Sequence, residues 1–475
     1  MPAAQHLIAG SWTSGLGVDS VEVRDPATDE LVGRVPVASA EDIDAAVQAA
    51  GKAATDWRRT DPAERAAAVK AAAVKLRQHT EELAELTTAE MGKPLADARG
   101  GVEAGIGSLE QYAELGPLHR GRSLQGGWDA IDLMVHEPRG VVAVITPWND
   151  PVAVPCGLLG AALVTGNTVV FKPSERTPHT GWRLAALLAE ELPAGVVNLV
   201  LGDSRAGEPL AGHPGVHLVA HVGSTATGRA IARAAAGTGA KVLLENGGKD
   251  PLIVDAGVDA EWAAQQAAVG CFANAGQICT AIERVYVHAD VAAEFTDALV
   301  AQARALVLGP GRDPDTTLGP LVDRRLRDGV HGQVRDAVQA GARALTGGQV
   351  PEGPGAYYPA TVLDGCTDDM TVMQEETFGP VAPIRVVSSF DEAVAAASSS
   401  SYGLAAVVLT PLMAHAQRAW RELPVGTVKV NAVFGGAPGG AAEPQRSSGH
   451  GFGYGPELLD EMTTTKVVHL AAYDR

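Results

Sequence analysis

From Gly140 onward the chain is written in short apolar runs separated by stretches with helical character. The runs are Val141–Ile145, Thr168–Phe171, Val196–Val200, His217–Ala220 and Lys241–Leu244. Continuous apolar segments of this length fit strands buried on both faces. Their alternation with helices predicts a parallel sheet covered on both sides. A second series of the same kind starts near Pro251 and runs past Phe434, with Leu252–Val254, Val285–Val287 and Val407–Leu409 as its strands. The expected fold class is α/β.

The first 115 or so residues follow a different pattern. A short β-rich section (Val21-Glu-Val-Arg24, Leu31-Val-Gly-Arg-Val35) gives way to helices with readable starts. Ser39 followed by Asp42 has the form of a capping box. Asp61-Pro62-Ala-Glu64 sets a cap, an N1 proline and an N3 acid before an alanine-rich helix, and Thr80 is expected to cap the next. Residues 119–139, with Gly121, Gly126 and Gly127, read as a hairpin excursion. The tail segment Lys466–Leu470 is an apolar strand that fits either that hairpin or another subunit. No internal repeat is found, and the Gly-, Ala-, Pro- and Ser-rich patch 435–448 reads as a loop.

Composition narrows the class. The chain has 475 residues, enough for two or three units with large buried cores. With aromatics at only 4%, Ala, Val, Leu and Gly must fill the interior. A formal charge of −19 repels phosphate backbones, so no nucleic-acid partner is expected. Four cysteines (Cys156, Cys271, Cys279, Cys366) without a C-x-x-C give neither a disulfide framework nor a zinc ribbon. They suit a reducing, cytoplasmic setting with no metal site. The N-terminus lacks the basic-then-apolar order of a signal peptide. Residues 151–171 carry no charge and are long enough to span a membrane. The turn pair Gly166-Asn167 and the β-branched run Thr168-Val-Val favour helix, turn and strand inside a core, and no membrane is expected.

Several positions could carry chemistry. Cys279 follows Asn274-Ala-Gly-Gln-Ile, where Gly276 and Gln277 make a tight polar turn beside the thiol. Most lone cysteines are small buried hydrophobes, but that turn is an odd setting for one, so a nucleophile is the competing reading. Glu245, followed by Asn246-Gly247-Gly248, ends an apolar strand where open α/β sheets bind ligands, although a solvated loop acid fits as well. Asn149 ends another strand, and its amide either points into the same crevice or forms an Asx turn before Asp150-Pro151. Ser224, in Gly223-Ser-Thr-Ala-Thr-Gly228, would cap a helix whose N-terminal amides favour a pyrophosphate, and a plain capped helix also fits. Lys172 and Glu175 sit at a further strand exit, as ribose ligands or as a surface charge pair.

Together these segments resemble the aldehyde dehydrogenase superfamily. Thr146-Pro-Trp-Asn149, Phe171-Lys-Pro-Ser-Glu175, Gly223-Ser-Thr225, Glu245 with Gly247-Gly-Lys249, Gly276-Gln-Ile-Cys-Thr280 and Glu375-Glu-Thr-Phe-Gly-Pro380 stand in that family's order and spacing. Glu90-Met-Gly-Lys-Pro94 is also typical, and the resemblance runs from about residue 7 to 470. It implies oxidation of an aldehyde to the acid through a thiohemiacetal and a thioester. Cys279 would be the nucleophile, Glu245 the base that activates water, and the Asn149 amide with the Cys279 backbone N–H the oxyanion hole. Fixed donors of that kind are each worth on the order of 10²–10³ in rate. A free thiol ionises near pH ~8.5, so nearby positive charge or a helix N-terminus is expected beside Cys279.

By the same resemblance Ile145, Trp148, Lys172, Ser174, Glu175, Gly223, Ser224 and Gly247 would hold the cofactor. Glu376 would bind the nicotinamide ribose, with Phe378 packed nearby. An acid at Glu175 implies NAD as the preferred cofactor, with NADP possible. The implied fold is a Rossmann-like NAD(P)-binding domain (1–118 and 140–247), a catalytic α/β domain (248–446) and a small β oligomerisation arm (119–139 and 447–475). Family members are usually dimers or tetramers.

The chain departs from the family pattern at Asn246, at Gly202-Asp-Ser204, and in the late loop that reads Arg446-Ser-Ser-Gly449 after Ala441-Ala-Glu-Pro444. Asp150 stands where many relatives carry an aromatic of the aldehyde tunnel. It would either cap the following helix or face the substrate. A CoA-acylating relative, in which a thiol takes the acyl group, is the nearest rival, and Glu245 counts against it. A catalytically silent protein of the same fold and a cofactor-free cysteine hydrolase are more distant alternatives.

Overall fold

The computed structural model describes residues 4–436 and 439–473. Its centre is two sheets, each with its own core. The first has eight strands in the spatial order Ser11–Thr13, His6–Ile8, Val197–Leu199, Thr168–Lys172, Val141–Ile145, Leu218–Val222, Lys241–Glu245 and Gly449–His450. The five inner strands are parallel, and the edge strands pair antiparallel. Val141–Ile145 and Thr168–Lys172 are buried at every position, which is why both read as unbroken apolar runs.

Winding runs outward both ways from Val141–Ile145, so a crevice opens beyond the carboxyl ends of the central strands. On one face Ala143, Val170 and Val219 pack with Ile43 and Ile231 from the helices Ala40–Trp57 and Thr225–Ala236. On the other, Val142 and Val144 meet Leu76, Leu109, Leu159 and Leu184 from four further helices.

The second sheet runs Arg343–Thr346, Thr361–Asp364, Val381–Val387, Ile282–His288, Asp250–Val254, Ala405–Leu409 and Thr427–Val430, parallel except at its first strand. Its core includes Tyr286, Phe295, Leu363 and Val407. A third, three-stranded sheet sets Ala130–Pro138 between Arg122–Leu124 and the tail strand Thr463–Ala471, all antiparallel. The tail therefore pairs with the hairpin of its own chain. Ile131, Val467 and Leu470 on this sheet are exposed.

The capping box at Ser39 and Asp42 is present, and Asp61 accepts from the Ala63 N–H. Residues 151–171 form helix, turn and strand, with Gly166 at φ +89°. Three expectations need correction. Thr80 is the first residue of its helix and donates its hydroxyl to the Arg77 carbonyl, while His79 holds the cap position. Asp150 does not cap the following helix, which starts at Ala153 with Val152 before it. Its carboxylate instead lies 3.5 Å from the Lys93 ammonium.

Residues 447–462, grouped with the arm from the sequence, lie against the first sheet. Gly449–His450 pairs with Lys241–Glu245, and Leu458, Leu459 and Met462 join its core. The two-residue strand carries too little pattern to be read from sequence. The loop patch 435–448 includes residues 437 and 438, which lie outside the described residues, as do 1–3 and 474–475 at the ends.

Candidate active site

The Cys279 loop leaves the helix Ala260–Phe272 through three successive left-handed residues, Asn274 (φ 49°), Ala275 (φ 55°) and Gly276 (φ 71°). Only glycine takes that conformation freely, so the first two store strain. At Gly276 a Cβ would come within 2.2 Å of the Gly379 carbonyl oxygen, which excludes any side chain.

Gln277, 1% exposed, holds the turn from inside: its amide donates to the Asn274 carbonyl (2.9 Å) and accepts from the Val322 N–H (2.9 Å). Asn149 Nδ2 donates to the Gln277 carbonyl at 3.0 Å, and Asn274 Nδ2 donates to the same oxygen at 3.1 Å. An amide at a strand exit of the first sheet is thereby tied to the cysteine loop of the second. The Asn149 amide is thus anchored two residues before Cys279 in the chain.

The electrostatics of the thiol run opposite to expectation. Burial pushes Cys279 up to about 12, and the carboxylates of Glu245, Asp250 and Glu376 push the same way. The residues just before it form the left-handed turn and not the first turn of an α-helix. One cation does act in the other direction: Lys429, half-buried on Thr427–Val430, interacts with both Asp250 and Cys279. Sequence reading missed it, since one lysine in a short strand carries no local signal.

Glu245 closes the strand Lys241–Glu245 and accepts from the Gly453 N–H at 3.1 Å. Burial pushes its carboxyl up to about 8. A Cβ at Gly453 would meet the Glu245 oxygen at 2.4 Å, so that close approach needs glycine. Glu376 is also pushed up to about 8, by burial and by Glu283. It accepts from the Gly248 N–H at 3.1 Å, and a Cβ at Gly247 would lie 2.2 Å from its oxygen. Behind it, Glu283 accepts from the Thr377 N–H (2.7 Å), the Phe378 N–H (2.8 Å) and Lys249 Nζ (2.8 Å). This buried ion pair fixes the Glu376–Phe378 segment. Glu283, buried next to the equally buried Arg284 in the strand Ile282–His288, was the overlooked clue.

A cleft of about 500 Å³ opens over the carboxyl ends of the first sheet. Ile145, Trp148, Lys172 and Ser174 line it, with Glu175, Gly223 and Ser224. Ser224 caps the helix Thr225–Ala236, leaving that helix's positive end facing the cleft. Lys172 is 4% exposed, and its ammonium donates to the Pro173 carbonyl at 3.1 Å. His221 lines the same floor and was not foreseen. Phe378 meets Trp148, a wall of the cleft, edge-on with ring centres 5.4 Å apart, while Glu376, Phe378 and Gly247 do not themselves line it. A buried cation and the positive end of that helix fit a diphosphate, and the Glu175 carboxylate fits ribose hydroxyls. The donor set thus suits a dinucleotide.

Asn246 donates to the Ser447 carbonyl at 3.2 Å and its N–H to Ser448 at 2.9 Å, tying the Glu245 turn to the late loop. Gly202 takes φ +130°, and Asp203 after it caps the helix Ser204–Ala211.

The sequence matches the description Aldehyde dehydrogenase family over residues 12–468. The chain belongs to the aldehyde dehydrogenase family. It is 37% identical to alpha-ketoglutaric semialdehyde dehydrogenase of Bacillus subtilis (strain 168), with 98% of this chain and 97% of that protein covered. Its structure is similar to that of 3,6-anhydro-L-galactose dehydrogenase in complex with NAP (TM-score 0.96, 34% identity, 98% of this chain and 100% of that one). It is equally similar to betaine aldehyde dehydrogenase from Staphylococcus aureus in complex with NAD+ (TM-score 0.96, 32% identity, 100% and 96%). This aldehyde dehydrogenase is an oxidoreductase that uses a nicotinamide dinucleotide to oxidise an aldehyde to the acid. Among the described residues, no helix is long and apolar enough to cross a membrane.

Proposed function

We propose that Cys279 Sγ attacks the aldehyde carbon, forming a thiohemiacetal, and that Glu245 activates the water that later cleaves the thioester. What supports this is a Glu245 carboxyl raised to about 8 that acts on the Cys279 thiol, together with the tie from the Asn149 amide to the loop that carries that thiol. A catalytic base works best when its pKa lies near the working pH, and burial has moved Glu245 there.

The Asn149 amide and the Cys279 N–H stabilise the oxyanion in both tetrahedral states. Because burial first, and the Glu245, Asp250 and Glu376 carboxyls with it, hold the thiol protonated, its proton passes to solvent water as the C–S bond forms, leaving the thiohemiacetal oxyanion. The dinucleotide, when bound, supplies the two-electron oxidant that turns the thiohemiacetal carbon into a thioester. Lys172, Ser174, Glu175, Gly223 and Ser224 hold its adenosine diphosphate half, with Ile145 and Trp148 as apolar walls. Glu376 binds the ribose next to the nicotinamide, with Gly247 letting its carboxyl approach and Phe378 packed against Trp148. Water adds to the thioester as Glu245 takes its proton, the C–S bond breaks, and the carboxylic acid leaves.

The unit around the first sheet is the cofactor domain and that around the second the catalytic domain. The three-stranded sheet of 119–139 and 463–471 is an arm through which copies assemble as a homodimer or homotetramer. Support for the arm comes from its exposed Ile131, Val467 and Leu470. A cytoplasmic setting accords with the four free cysteines. NAD is the preferred cofactor, since Glu175 would meet a 2′-phosphate with like charge.

Cys279→Ala tests the core of this reading. It should abolish aldehyde-dependent NADH formation while leaving NADH affinity unchanged, whereas Cys156→Ala, Cys271→Ala and Cys366→Ala should keep most activity. Appreciable turnover by Cys279→Ala would overturn it.

A further inference from the structure

At the carboxyl ends of three neighbouring strands Lys172, Ile145 and His221 stand in register, Ile145 pairing with Lys172 on one side and His221 on the other. Residues in register on parallel strands share a face, and all three line the cofactor cleft. His221 is 3% exposed, yet neither ring nitrogen has a hydrogen-bond partner. The Ile145 and Ser224 carbonyls lie beside the ring without closing a bond of normal geometry. The turn at Gly223 passes directly over it, so close that a Cβ there would stand 2.7 Å from Cε1. Buried polar groups are almost always satisfied, and an exception at the floor of a ligand cleft calls for a partner from the ligand.

We propose that His221 binds the cofactor: as the dinucleotide enters, the imidazole takes up a proton and donates a charge-assisted hydrogen bond to the diphosphate. The inference rests on the reading of this cleft as the dinucleotide site. The Gly223–Ser224 turn opens the helix Thr225–Ala236, whose N-terminus favours that anion, and the ring lies beneath the same turn. In the free protein, burial pushes His221 down to about 4, with Lys172 adding to the effect. The ring is neutral there. Lys172 is the charge that acts on it, from two strands away across Ile145. Leu244, on the other flanking strand, is uncharged. Glu175, Arg176, Glu208 and Arg325 also border the cleft. A bound diphosphate offsets Lys172 and raises the proton affinity of His221, so binding tightens as pH falls from neutral toward 5.

Calorimetric titration of the full-length protein with NADH at pH 6, in buffers of different ionisation enthalpy, counts the protons taken up. The wild type should absorb a measurable fraction of a proton. His221→Phe should absorb none and bind about tenfold more weakly, the loss of one charge-assisted bond. His221→Gln retains a donor that does not titrate. It should lose the uptake but keep most of the affinity, and it serves should the phenylalanine variant not fold. Adenosine, which lacks the diphosphate, should bind all three alike and without uptake. No uptake by the wild type, or unchanged uptake in His221→Gln, overturns the proposal. Failure of NADH to bind the wild type, or binding untouched by Lys172→Ala, overturns the cleft assignment instead.

Discussion

In a Glu245→Gln variant the group that takes a proton from water is gone, while the shape of the side chain and its bond from Gly453 remain. Thiohemiacetal formation and oxidation need only Cys279, Asn149 and the cofactor site, so the first NADH should form at near wild-type rate. Hydrolysis then stalls. Loss of a positioned base costs on the order of 10²–10⁴ in the step it serves. Rapid mixing with excess aldehyde and NAD should therefore give a burst of about one NADH per site, then a steady rate lower by that factor.

The raised carboxyl adds a pH signature. A base must be ionised, and with the carboxyl at about 8 only about a tenth of wild-type sites are ready at pH 7 and about a hundredth at pH 6. Deacylation in the wild type should climb roughly tenfold per unit up to pH about 8 and level off above it, while the residual rate of the variant stays flat through that window. The same shift bears on stability. A carboxyl whose folded value lies above its unfolded one stabilises the fold below pH 4.5, and this contribution is lost as pH rises toward 8. The variant should accordingly lose less thermal stability than the wild type across that range. A variant that turns over at full steady rate, or a wild-type profile that is level between pH 6 and 8, would refute this assignment of the base.

Lys249→Met leaves the Glu283 carboxylate facing Glu376 without its buried ammonium partner; chemical denaturation should show a loss of roughly 3–5 kcal/mol, and a loss under about 1 kcal/mol would contradict the account. With Glu175 in the cleft, kcat/KM should be higher with NAD than with NADP, and Glu175→Gln should narrow the ratio; equal or better use of NADP by the wild type sinks the preference. Asp150 adjoins Asn149, pairs with Lys93 and is not a helix cap, so hydroxy- or aminoaldehydes should be preferred over succinate semialdehyde or a long alkanal. Asp150→Phe should narrow that gap, and an unchanged ranking would mean that the carboxylate does not face the substrate.

Much of the fold was legible because inner parallel strands, buried on both faces, must be apolar throughout: Val141–Ile145 and Thr168–Lys172 announce themselves. The short edge strand Gly449–His450 does not, because two residues hold no periodicity and its pairing is fixed by the chain's return to the Glu245 turn. Cys279, Glu245 and Asn149 stood out because each sits next to turn residues at an element's end. The sense of the charge around the thiol was hidden, since Glu245, Asp250 and Glu376 come from separate segments and meet only in the folded chain. His221 was hidden differently. It occupies an ordinary inward position of a strand, and only the cleft beside it makes an imidazole there unusual.

The covalent step on Cys279 is tested most directly by weighing the enzyme. Glu245→Gln mixed with aldehyde and NAD, quenched in acid and digested, should show the acyl mass on the peptide that contains Cys279, in an amount equal to the NADH burst. The adduct should be absent without NAD and absent in the Glu245→Gln, Cys279→Ala double variant. A burst of NADH with no acyl group on Cys279, or with the acyl group on Cys156, Cys271 or Cys366, would contradict the account.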